Sequence, residues 1–403
     1  MSKASVMVIG GGTWQVPLIK RIKELGYEVV CSNLYADSVG FQYADFGEVS
    51  DVKDLEKNLS FAKKHKVDAV LTDQSDIAVP TVAYVATQLG LPNIGEDMAK
   101  LFTNKYLMRE FCRSHKFPFP EYALCQSSDE VARFLKKTGR KIIIKPLDSQ
   151  SSRGVYEIEQ ESEISALFED TKSYSKDGKS VIAERFISGT EFTIDGVMTP
   201  RGHVSLCISQ KAHFSYNESI ASELFFSNVN PDYDYDQLRR TNNAIVNASG
   251  LPFGLTHAEY KFENGEYYLI EIAARGGGTK IASDIVPLMS GVDNYAYLIS
   301  CALGCPDTAP MEPDASLIDR CAVLKFLDIN SNGKTVTGIH GVDKIKNNEH
   351  VLDFCLEFSV GDQVGAAKDD RSRVGYYIAY EENRDKLRNL MAWIEDTLKV
   401  DFS

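Results

Sequence analysis

The sequence has no long apolar run and no excess of positive charge. Its 403 residues include 44 lysines and arginines against 57 aspartates and glutamates, a net charge of −13. Nucleic acids and anionic membranes attract basic patches, so we expect neither as a partner. The amino-terminal MSKASVMVIGGG lacks the pattern of a signal peptide, and no stretch long enough to cross a bilayer follows. The expected location is the cytoplasm.

Motifs for zinc and for two common nucleotide-binding loops are absent as well. Of the eight cysteines only Cys301 and Cys305 lie close, without a second pair or a histidine cluster, so reduced thiols are expected and a zinc site is not. GGGTWQ lacks the third glycine of G-x-G-x-x-G, and no G-x-x-x-x-G-K-[ST] occurs. An NAD fingerprint is therefore disfavoured. The glycines indicate packing at a strand–helix turn or a small-molecule contact.

Short apolar runs alternate with amphipathic segments up to about Gly95. Strands are predicted at Val6–Ile9, Tyr27–Cys31 and Val67–Thr72, and helices near Trp14–Leu25 and Val79–Leu89. Alternation of this kind is typical of a parallel, doubly wound sheet, which gives an α/β fold class. A chain of this length has room for two or three domains.

The remaining residues mix strands and helices without an internal repeat. Helices are predicted at Asp97–His115, Ser128–Thr138, Glu161–Phe168, Tyr235–Ala248 and Glu381–Leu398, and strands at Lys141–Lys145, Val155–Glu159, Val181–Phe186, Glu191–Met198, Cys321–Phe326 and Gly375–Tyr380. The polar stretch SYSKDGKS, Ser173–Ser180, is predicted as an exposed hairpin or mobile loop.

A lysine and a hydroxyl-rich loop follow one of these apolar strands. In KIIIKPLDSQSSRGV, residues 141–155, three isoleucines lead to Lys145 and then to a serine loop. An ammonium at a buried strand end needs a partner. Small hydroxyls and backbone N–H groups, here at Ser151, Ser152 and Gly154, approach phosphate oxygens closely. Phosphate binding is the interpretation, and a solvated strand end is the alternative for Lys145.

Two glutamates interrupt the apolar pattern of residues 181–196, VIAERFISGTEFTIDG. Solvation of an edge strand explains one of Glu184 and Glu191. The functional alternative is nucleotide recognition. In that case the backbone from Glu184 through Phe186 to Ile187 faces an adenine edge, and Glu191 bonds ribose hydroxyls.

Glu259 and Glu271 give the sharpest prediction. Each lies in an alternating apolar segment, and Asn264-Gly265 between them is a strong hairpin signal. Pairing outward from that turn places the two glutamates nearly opposite each other, where like charges repel unless a cation lies between them. Magnesium does this and also bridges nucleotide phosphates. The alternative is two exposed glutamates on a solvated sheet face.

Taken together, these segments resemble the ATP-grasp superfamily, specifically the carboxylate–amine ligases related to biotin carboxylase, the purine-pathway ligases and the dipeptide-forming L-amino-acid ligases. The most specific parts are TNKYLMREF, IIIKP with the serine loop, AERFISGTEFTIDG, and HAEY with EIAARGGG. The resemblance implies an ATP-grasp fold of two α+β subdomains after the N-terminal sheet domain, with a C-terminal β-rich extension. The implied domains are 1–95, 96–310 with a mobile nucleotide-covering subdomain at about 120–190, and 311–403 completing the core.

The resemblance also assigns roles to individual residues, in binding ATP and metal and in catalysis. It implies ATP contacts for Lys105, Lys145, Ser151, Ser152, Gly154, Glu184, Phe186, Ile187 and Glu191. It implies Mg²⁺, with Mn²⁺ as an alternative, on Glu259 and Glu271, and contacts with phosphate or substrate for Arg275, Lys211 and His213. Ala273 departs from the pattern, because many relatives have Asn there as a further metal ligand.

The implied reaction is ATP-dependent joining of a carboxylate to an amine through an acyl phosphate, with release of ADP and phosphate. Both substrates are small molecules, and a homodimer is compatible with this interpretation. Two alternatives stay open: a phosphotransferase or a carboxylase or carbamoyl-phosphate-type enzyme of the same fold, and a non-catalytic nucleotide-binding protein.

Overall fold

The N-terminal sheet has four parallel strands in the order β3-β2-β1-β4. The computed structural model describes residues 3–149, 152–176, 178–306, 309 and 311–403, so the predicted contact at Ser151 lies outside the described residues. The elements are β1 Ser5–Ile9, α1 Val16–Glu24, β2 Glu28–Asn33, β3 Phe46–Val49, α2 Leu55–His65, β4 Ala69–Leu71 and α3 Val79–Leu89. The predicted parallel sheet is confirmed, although β3 and α2 had not been predicted.

Two strand ends of this sheet meet at the same edge. Gly10–Gly12 follow β1 and Asp73–Asp76 follow β4, which pairs with β1. A β-carbon on Gly11 would lie 2.7 Å from Cys31 Sγ, so glycine packing at this turn is confirmed. The carboxyl edge of a parallel sheet is where such folds bind ligands.

The predicted helix Asp97–His115 is two helices, α4 Glu96–Leu101 and α5 Lys105–His115. The break comes at Asn104, whose side chain accepts a hydrogen bond from the Leu107 N–H (3.1 Å) and caps α5. Lys105 therefore lies in the first turn of α5. Its ammonium contacts Glu271 and the Ser149 carbonyl.

A small antiparallel sheet follows, in the order β5-β8-β6-β7. Its elements are β5 Tyr122–Cys125, α6 Ser128–Thr138, β6 Ile142–Pro146, β7 Tyr156–Ile158, α7 Ile164–Ser173 and β8 Val181–Arg185. Of the two alternatives for Ser173–Ser180, the hairpin is wrong, since this segment joins α7 to β8, and the mobile loop remains a prediction, with Asp177 outside the described residues. Ser175 within it is buried, and its hydroxyl donates to the Ser180 carbonyl (2.8 Å).

Eight antiparallel strands form the large sheet, in the order β13-β12-β9-β10-β11-β14-β17-β16. Its strands are β9 Thr190–Thr199, β10 Gly202–Phe214, β11 Asn217–Ser227, β12 Gly254–Glu263, β13 Glu266–Ala273, β14 Cys321–Phe326, β16 Val351–Leu356 and β17 Gly375–Glu381. The other elements are α8 Tyr235–Ser249, α9 Val286–Ser290, α10 Asn294–Ala302, β15 Val336–His340, α11 Val342–Lys346, α12 Arg384–Thr397 and β18 Lys399–Phe402, with β15 and β18 paired. Strands before and after residue 310 belong to this one sheet, so the sheet spans two of the predicted domains. The domain boundary at 310 remains a prediction.

One hydrophobic core joins the N-terminal sheet to the large sheet. Val8 of β1 and Ile19 of the neighbouring α1 belong to the same buried cluster as Leu324 of β14 and Tyr297 of α10. The small sheet has a separate core, made of residues between Cys125 and Ala183. Within the part of the chain that the structure describes, no helix is both long and apolar enough to cross a membrane.

A buried histidine connects α8 to the large sheet and makes stability depend on pH. His203 contacts Asn243 Oδ1 and Thr256 Oγ1, each at 2.7 Å, and burial lowers its pKa from 6.5 to about 4. The unfolded chain therefore takes up a proton below pH 6.5 that the folded chain takes up only near pH 4.

We expect the free energy of unfolding to fall by roughly 3 kcal/mol from this residue as the pH drops from 6.5 to 4. His203→Gln should be less stable at neutral pH but should flatten that slope in urea unfolding curves. His340→Gln, which removes an exposed histidine paired with Asp401, is the matched control. An unchanged slope in His203→Gln would contradict the expectation.

Candidate active site

A cavity of about 800 Å³ lies where the N-terminal sheet, the small sheet and the large sheet meet. Most of the described residues predicted for the site line it: Lys105, Lys145, Ser152, Glu184, Phe186, Ile187, Glu191, Lys211, His213, Glu259, Glu271 and Arg275. Gly154 does not. Its backbone has φ +68°, and a β-carbon there would lie 2.6 Å from the Tyr174 ring, so it packs inside the small sheet domain. The roles predicted from sequence remain predictions.

Two cations of α5, Lys105 and Arg109, lie one helical turn apart, and Lys105 lines this cavity. Residues four apart share a face of a helix, and Lys105 and Arg109 are both buried. Lys105 Nζ donates to Glu271 Oε1 (2.8 Å) and to the Ser149 carbonyl (2.9 Å). Arg109 donates to the Ile270 carbonyl (2.6 Å). The start of α5 thus contacts both the serine loop and β13.

Glu184 on β8 is fully buried between two cations. Its carboxylate accepts from Arg109 Nε (2.7 Å) and from Lys145 Nζ (2.9 Å). Burial opposes ionisation, but Arg109 and Lys145 outweigh it and lower the pKa of Glu184 to about 2. Both carboxylate oxygens of Glu184 are already paired. The predicted contact with an adenine edge would therefore use the backbone of residues 184–187.

One lysine pairs with two glutamates on three neighbouring strands of the large sheet. Lys211 on β10 pairs with Glu191 on β9 (2.5 Å) and with Glu259 on β12 (3.0 Å). His213 Nε2 lies 3.4 Å from the second Glu191 oxygen. Burial disfavours the Lys211 charge, but the two carboxylates raise the pKa of Lys211 above its usual range. Lys211 in turn lowers the pKa of both glutamates despite their burial.

The hairpin predicted for β12 and β13 is confirmed. Asn264 and Gly265 form its turn with φ of 54° and 86°, and Glu259 lies directly opposite Glu271. A register shift follows Glu259, and it coincides with the Ile270 carbonyl that Arg109 binds. One oxygen of each glutamate already accepts from an ammonium, Lys211 for Glu259 and Lys105 for Glu271.

The donor set at this pair fits Mg²⁺ but not an all-protein metal cage. The described residues contain no group of three or more histidine, cysteine, aspartate or glutamate side chains placed to hold a metal. Mg²⁺ commonly uses one or two carboxylates and takes its other ligands from phosphates and water. Glu259 and Glu271 meet that requirement. Ala273, which lines the cavity opposite His257, adds no further ligand.

Arg275 lies just beyond β13 and is held by the N-terminal sheet domain. It makes a bidentate pair with Asp76, Nε to Oδ1 at 2.9 Å and Nη2 to Oδ2 at 2.6 Å. Burial works against the charge, but Asp76 raises the pKa of Arg275 above its usual range. The guanidinium is therefore a fixed cation at the cavity wall.

Gly276 and Gly277, directly after Arg275, serve close packing. A β-carbon on Gly276 would lie 2.2 Å from Ala282 Cβ, and one on Gly277 would lie 2.9 Å from both Asp195 Oδ1 and His257 Nδ1. The Gly276 N–H donates to Asp73 Oδ1 (2.7 Å). Burial raises the pKa of Asp73, which Tyr295 also contacts.

At its far end the cavity combines aromatic rings with charged side chains, Asp370, Arg371 and Arg373. Trp14 and Tyr376 lie with ring centroids 6.1 Å apart. Arg373 lies over the Phe326 ring, 3.6 Å from its centroid, and pairs with Asp370 (2.7 Å). Burial lowers the pKa of Arg373 against the effect of Asp370. This end suits part of an organic substrate more than a nucleotide phosphate.

Sequence reasoning missed several residues that line or support the cavity. Arg109 had a usable signal, its position four residues after Lys105 in TNKYLMREF. Asp73 and Asp76 follow the predicted strand Val67–Thr72, but no motif in the sequence gives either of them a role. Arg373 and Tyr376 carried no local signal, because loops and strands far apart in sequence bring them to the site.

Two family models match the chain. An ATP-grasp domain matches residues 138–284, which hold β6 to β13 and the Arg275 segment. An L-amino acid ligase C-terminal domain 2 matches residues 325–403. The first match contains most of the charged residues of the cavity, and the second contains Arg373 and Tyr376.

Curated relatives and solved structures are similar over larger parts of the chain. The formate-dependent phosphoribosylglycinamide formyltransferase of Chlorobaculum tepidum is 28% identical over 50% of this chain and 53% of its own length. The phosphoribosylamine–glycine ligase of Pyrococcus furiosus is 24% identical over 68% of this chain and 66% of its own length. The chain thus spans one half to two thirds of these relatives.

The fold matches at full length. L-amino acid ligase from Bacillus licheniformis superposes with a TM-score of 0.82 at 17% identity, covering 100% of this chain and 99% of that one. Phosphoribosylglycinamide synthetase from Anaerococcus prevotii gives a TM-score of 0.75 at 17% identity, covering 100% of both chains.

Close packing at Gly276 leads to a stability prediction. Gly276→Ala should lower the free energy of unfolding by about 1–3 kcal/mol or more, because the new methyl group meets Ala282 and Asp73. Gly278→Ala is the matched control, since no atom lies within 4 Å of a β-carbon there. Urea unfolding measures both. Equal losses in the two variants would show that packing does not explain the glycine at 276.

Proposed function

We propose that the chain, whose residues 138–284 match an ATP-grasp domain, is a member of the ATP-grasp superfamily and an ATP-dependent ligase that joins a carboxylate to an amine. The observation that carries the proposal is the convergence of Lys105, Lys145 and the opposed pair Glu259 and Glu271 on one cavity. Ammonium groups suit phosphates, and paired carboxylates suit the accompanying magnesium. The far end of the cavity, with its aromatic rings and Arg373, leaves room for an organic substrate.

The proposed assignment extends to domains and ligands. We propose domains at 1–95, 96–310 and 311–403, with ATP as the nucleotide and Mg²⁺, or alternatively Mn²⁺, as the metal. The partners are a small-molecule carboxylate and an amine, the location is cytoplasmic, and a homodimer is compatible with the proposal. Mg²⁺ held by Glu259 and Glu271 would neutralise phosphate charge.

The first half-reaction needs positioning and charge neutralisation more than a nucleophilic side chain. The substrate carboxylate oxygen bonds to the γ-phosphorus of ATP as the bond to ADP breaks, giving an acyl phosphate. Lys145 and Lys105 carry fixed positive charge toward the phosphates, and Glu184 fixes the place of Lys145. Arg275 offers donors at the cavity wall to the forming acyl phosphate.

In the second half-reaction the amine nitrogen bonds to the acyl carbon. The bond from that carbon to the phosphate oxygen breaks, phosphate leaves, and the nitrogen loses a proton. The aromatic and apolar residues at the far end exclude water that would otherwise hydrolyse the acyl phosphate. Trp14, Phe326 and Tyr376 are the residues we propose for that role.

The experiment that tests the function measures ADP and phosphate release with a panel of carboxylates, each with and without a panel of amines. We expect release that requires a carboxylate, and an amide product when an amine is present. ADP formation with a phosphorylated product and no amine requirement would favour a phosphotransferase. Bicarbonate or ammonia as the required reactant would favour the carboxylase or carbamoyl-phosphate alternative. Nucleotide binding without any turnover would make the protein a non-catalytic nucleotide binder.

Glu271→Gln is the sharpest single test of the metal assignment. A neutral amide is a poor ligand for Mg²⁺, so turnover should fall by about a hundredfold or more while the fold persists. Glu266→Gln, at the exposed start of the same strand, is the control. Steady-state rates over a range of Mg²⁺ concentrations provide the measurement. Near-normal activity of Glu271→Gln at millimolar Mg²⁺ would exclude this residue as a ligand.

A further inference from the structure

We infer that Asp76 is a positioning residue for Arg275, and that the N-terminal sheet domain thereby sets the geometry of the ligation site. The orientation of Arg275 follows from contacts within this chain. Only its chemical role, in steadying the acyl phosphate, rests on the proposed function.

Arg275 and Asp76 form a bidentate ion pair that fixes their relative orientation. Two parallel N–H···O bonds, 2.9 and 2.6 Å long, join the guanidinium edge to both oxygens of one carboxylate, and each side chain is 15% exposed. Such a fork fixes the guanidinium plane as well as its charge. Arg275 Nη1 also donates to the Gly276 carbonyl (2.9 Å). Among the described residues these bonds use three of its five N–H groups, which leaves two, one on each terminal nitrogen, for a ligand.

The segment that carries Asp76 is itself anchored to the segment that carries Arg275. Asp73 accepts from the Gly276 N–H at 2.7 Å, and Gln74 Oε1 accepts from the Lys280 N–H at 3.3 Å. Gln74 has φ of 56°, a left-handed conformation that a residue with a side chain adopts only where its surroundings require it. Residues 73–76 therefore hold residues 275–280 at three points.

The positions of the neighbouring carboxylates explain why Arg275 needs a dedicated partner. After Asp76, the charges that act most on Arg275 are those of Glu271 and Asp73. Without the Asp76 charge, Glu271 would be the competing carboxylate at the cavity wall. Loss of the Asp76 charge should therefore free the guanidinium to turn toward another carboxylate, and Glu271 is the candidate on β13.

Kinetics of three variants test the functional part. For Asp76→Asn we expect carboxylate-dependent ADP formation to fall by on the order of tenfold at saturating substrates, with the KM for ATP changed by less than about threefold. The Mg²⁺ concentration for half-maximal rate should rise, and Asp76→Glu should recover part of the loss. Asp45→Asn, which removes the partner of Lys23 on the same domain, controls for general destabilisation.

A double-variant cycle separates positioning from an independent structural effect. If Asp76 acts through Arg275, the double variant Asp76→Asn with Arg275→Lys should be no slower than Arg275→Lys alone. Multiplied losses would overturn the inference. The inference would also be overturned if the activity of Asp76→Asn fell only in proportion to its thermal stability and Asp45→Asn showed the same loss.

A readout without turnover distinguishes this inference from the proposed function. In protein labelled with ¹⁵N-arginine, the Arg275 Nε–H resonance, identified by its absence in Arg275→Lys, should exchange slowly with water. In Asp76→Asn it should shift and exchange faster. An unchanged resonance overturns the inference whatever the activity. A changed resonance in a protein that turns over no carboxylate would support the positioning and reject the ligase.

Discussion

The cavity depends on one electrostatic constraint, two glutamates facing each other across a single strand pair. Glu259 and Glu271 are directly opposite on β12 and β13, where their charges repel. Moving ions from water into a protein is costly unless each meets an opposite charge. Lys211 comes from β10 and Lys105 from α5, so the compensation requires the sheet and this helix to meet here. The proposed phosphate-bound cation would lie beside the same lysines.

Glu184 is another buried carboxylate of the cavity that needs opposite charges beside it. It lies on the small sheet, and its two cations come from β6 and from α5. Arg109 also binds the Ile270 carbonyl of the large sheet, so one buried ion cluster links the small sheet to the body of the protein. Removing one member of such a cluster leaves an uncompensated buried charge, which is strongly destabilising. The cluster therefore fixes where the small sheet contacts the large one.

Local signals in the sequence predicted the parts of the site that are close in the chain. Asn264-Gly265 specified a turn, and the period of two along a strand then placed Glu259 opposite Glu271. No spacing predicts Asp76 against Arg275, 199 residues apart, because only the packing of two domains brings them together. The helix break at Asn104 was missed because helical patterning continues on both sides. The strand β3 was missed because it is a mostly exposed edge without apolar alternation.

The distribution of hydrophobic cores determines which wall of the cavity can move. The N-terminal sheet and the large sheet share one core, and Asp73, Asp76 and the close-packed Gly276 connect them at the cavity. Separating these two walls would expose buried apolar surface, which costs about 25 cal/mol of free energy for each Å² exposed. The small sheet keeps its own core, so it can shift as a unit without opening that core. If one wall moves when ligands enter and leave, we therefore expect it to be the small sheet, turning about the Glu184 cluster, while the wall with Arg275 stays in place.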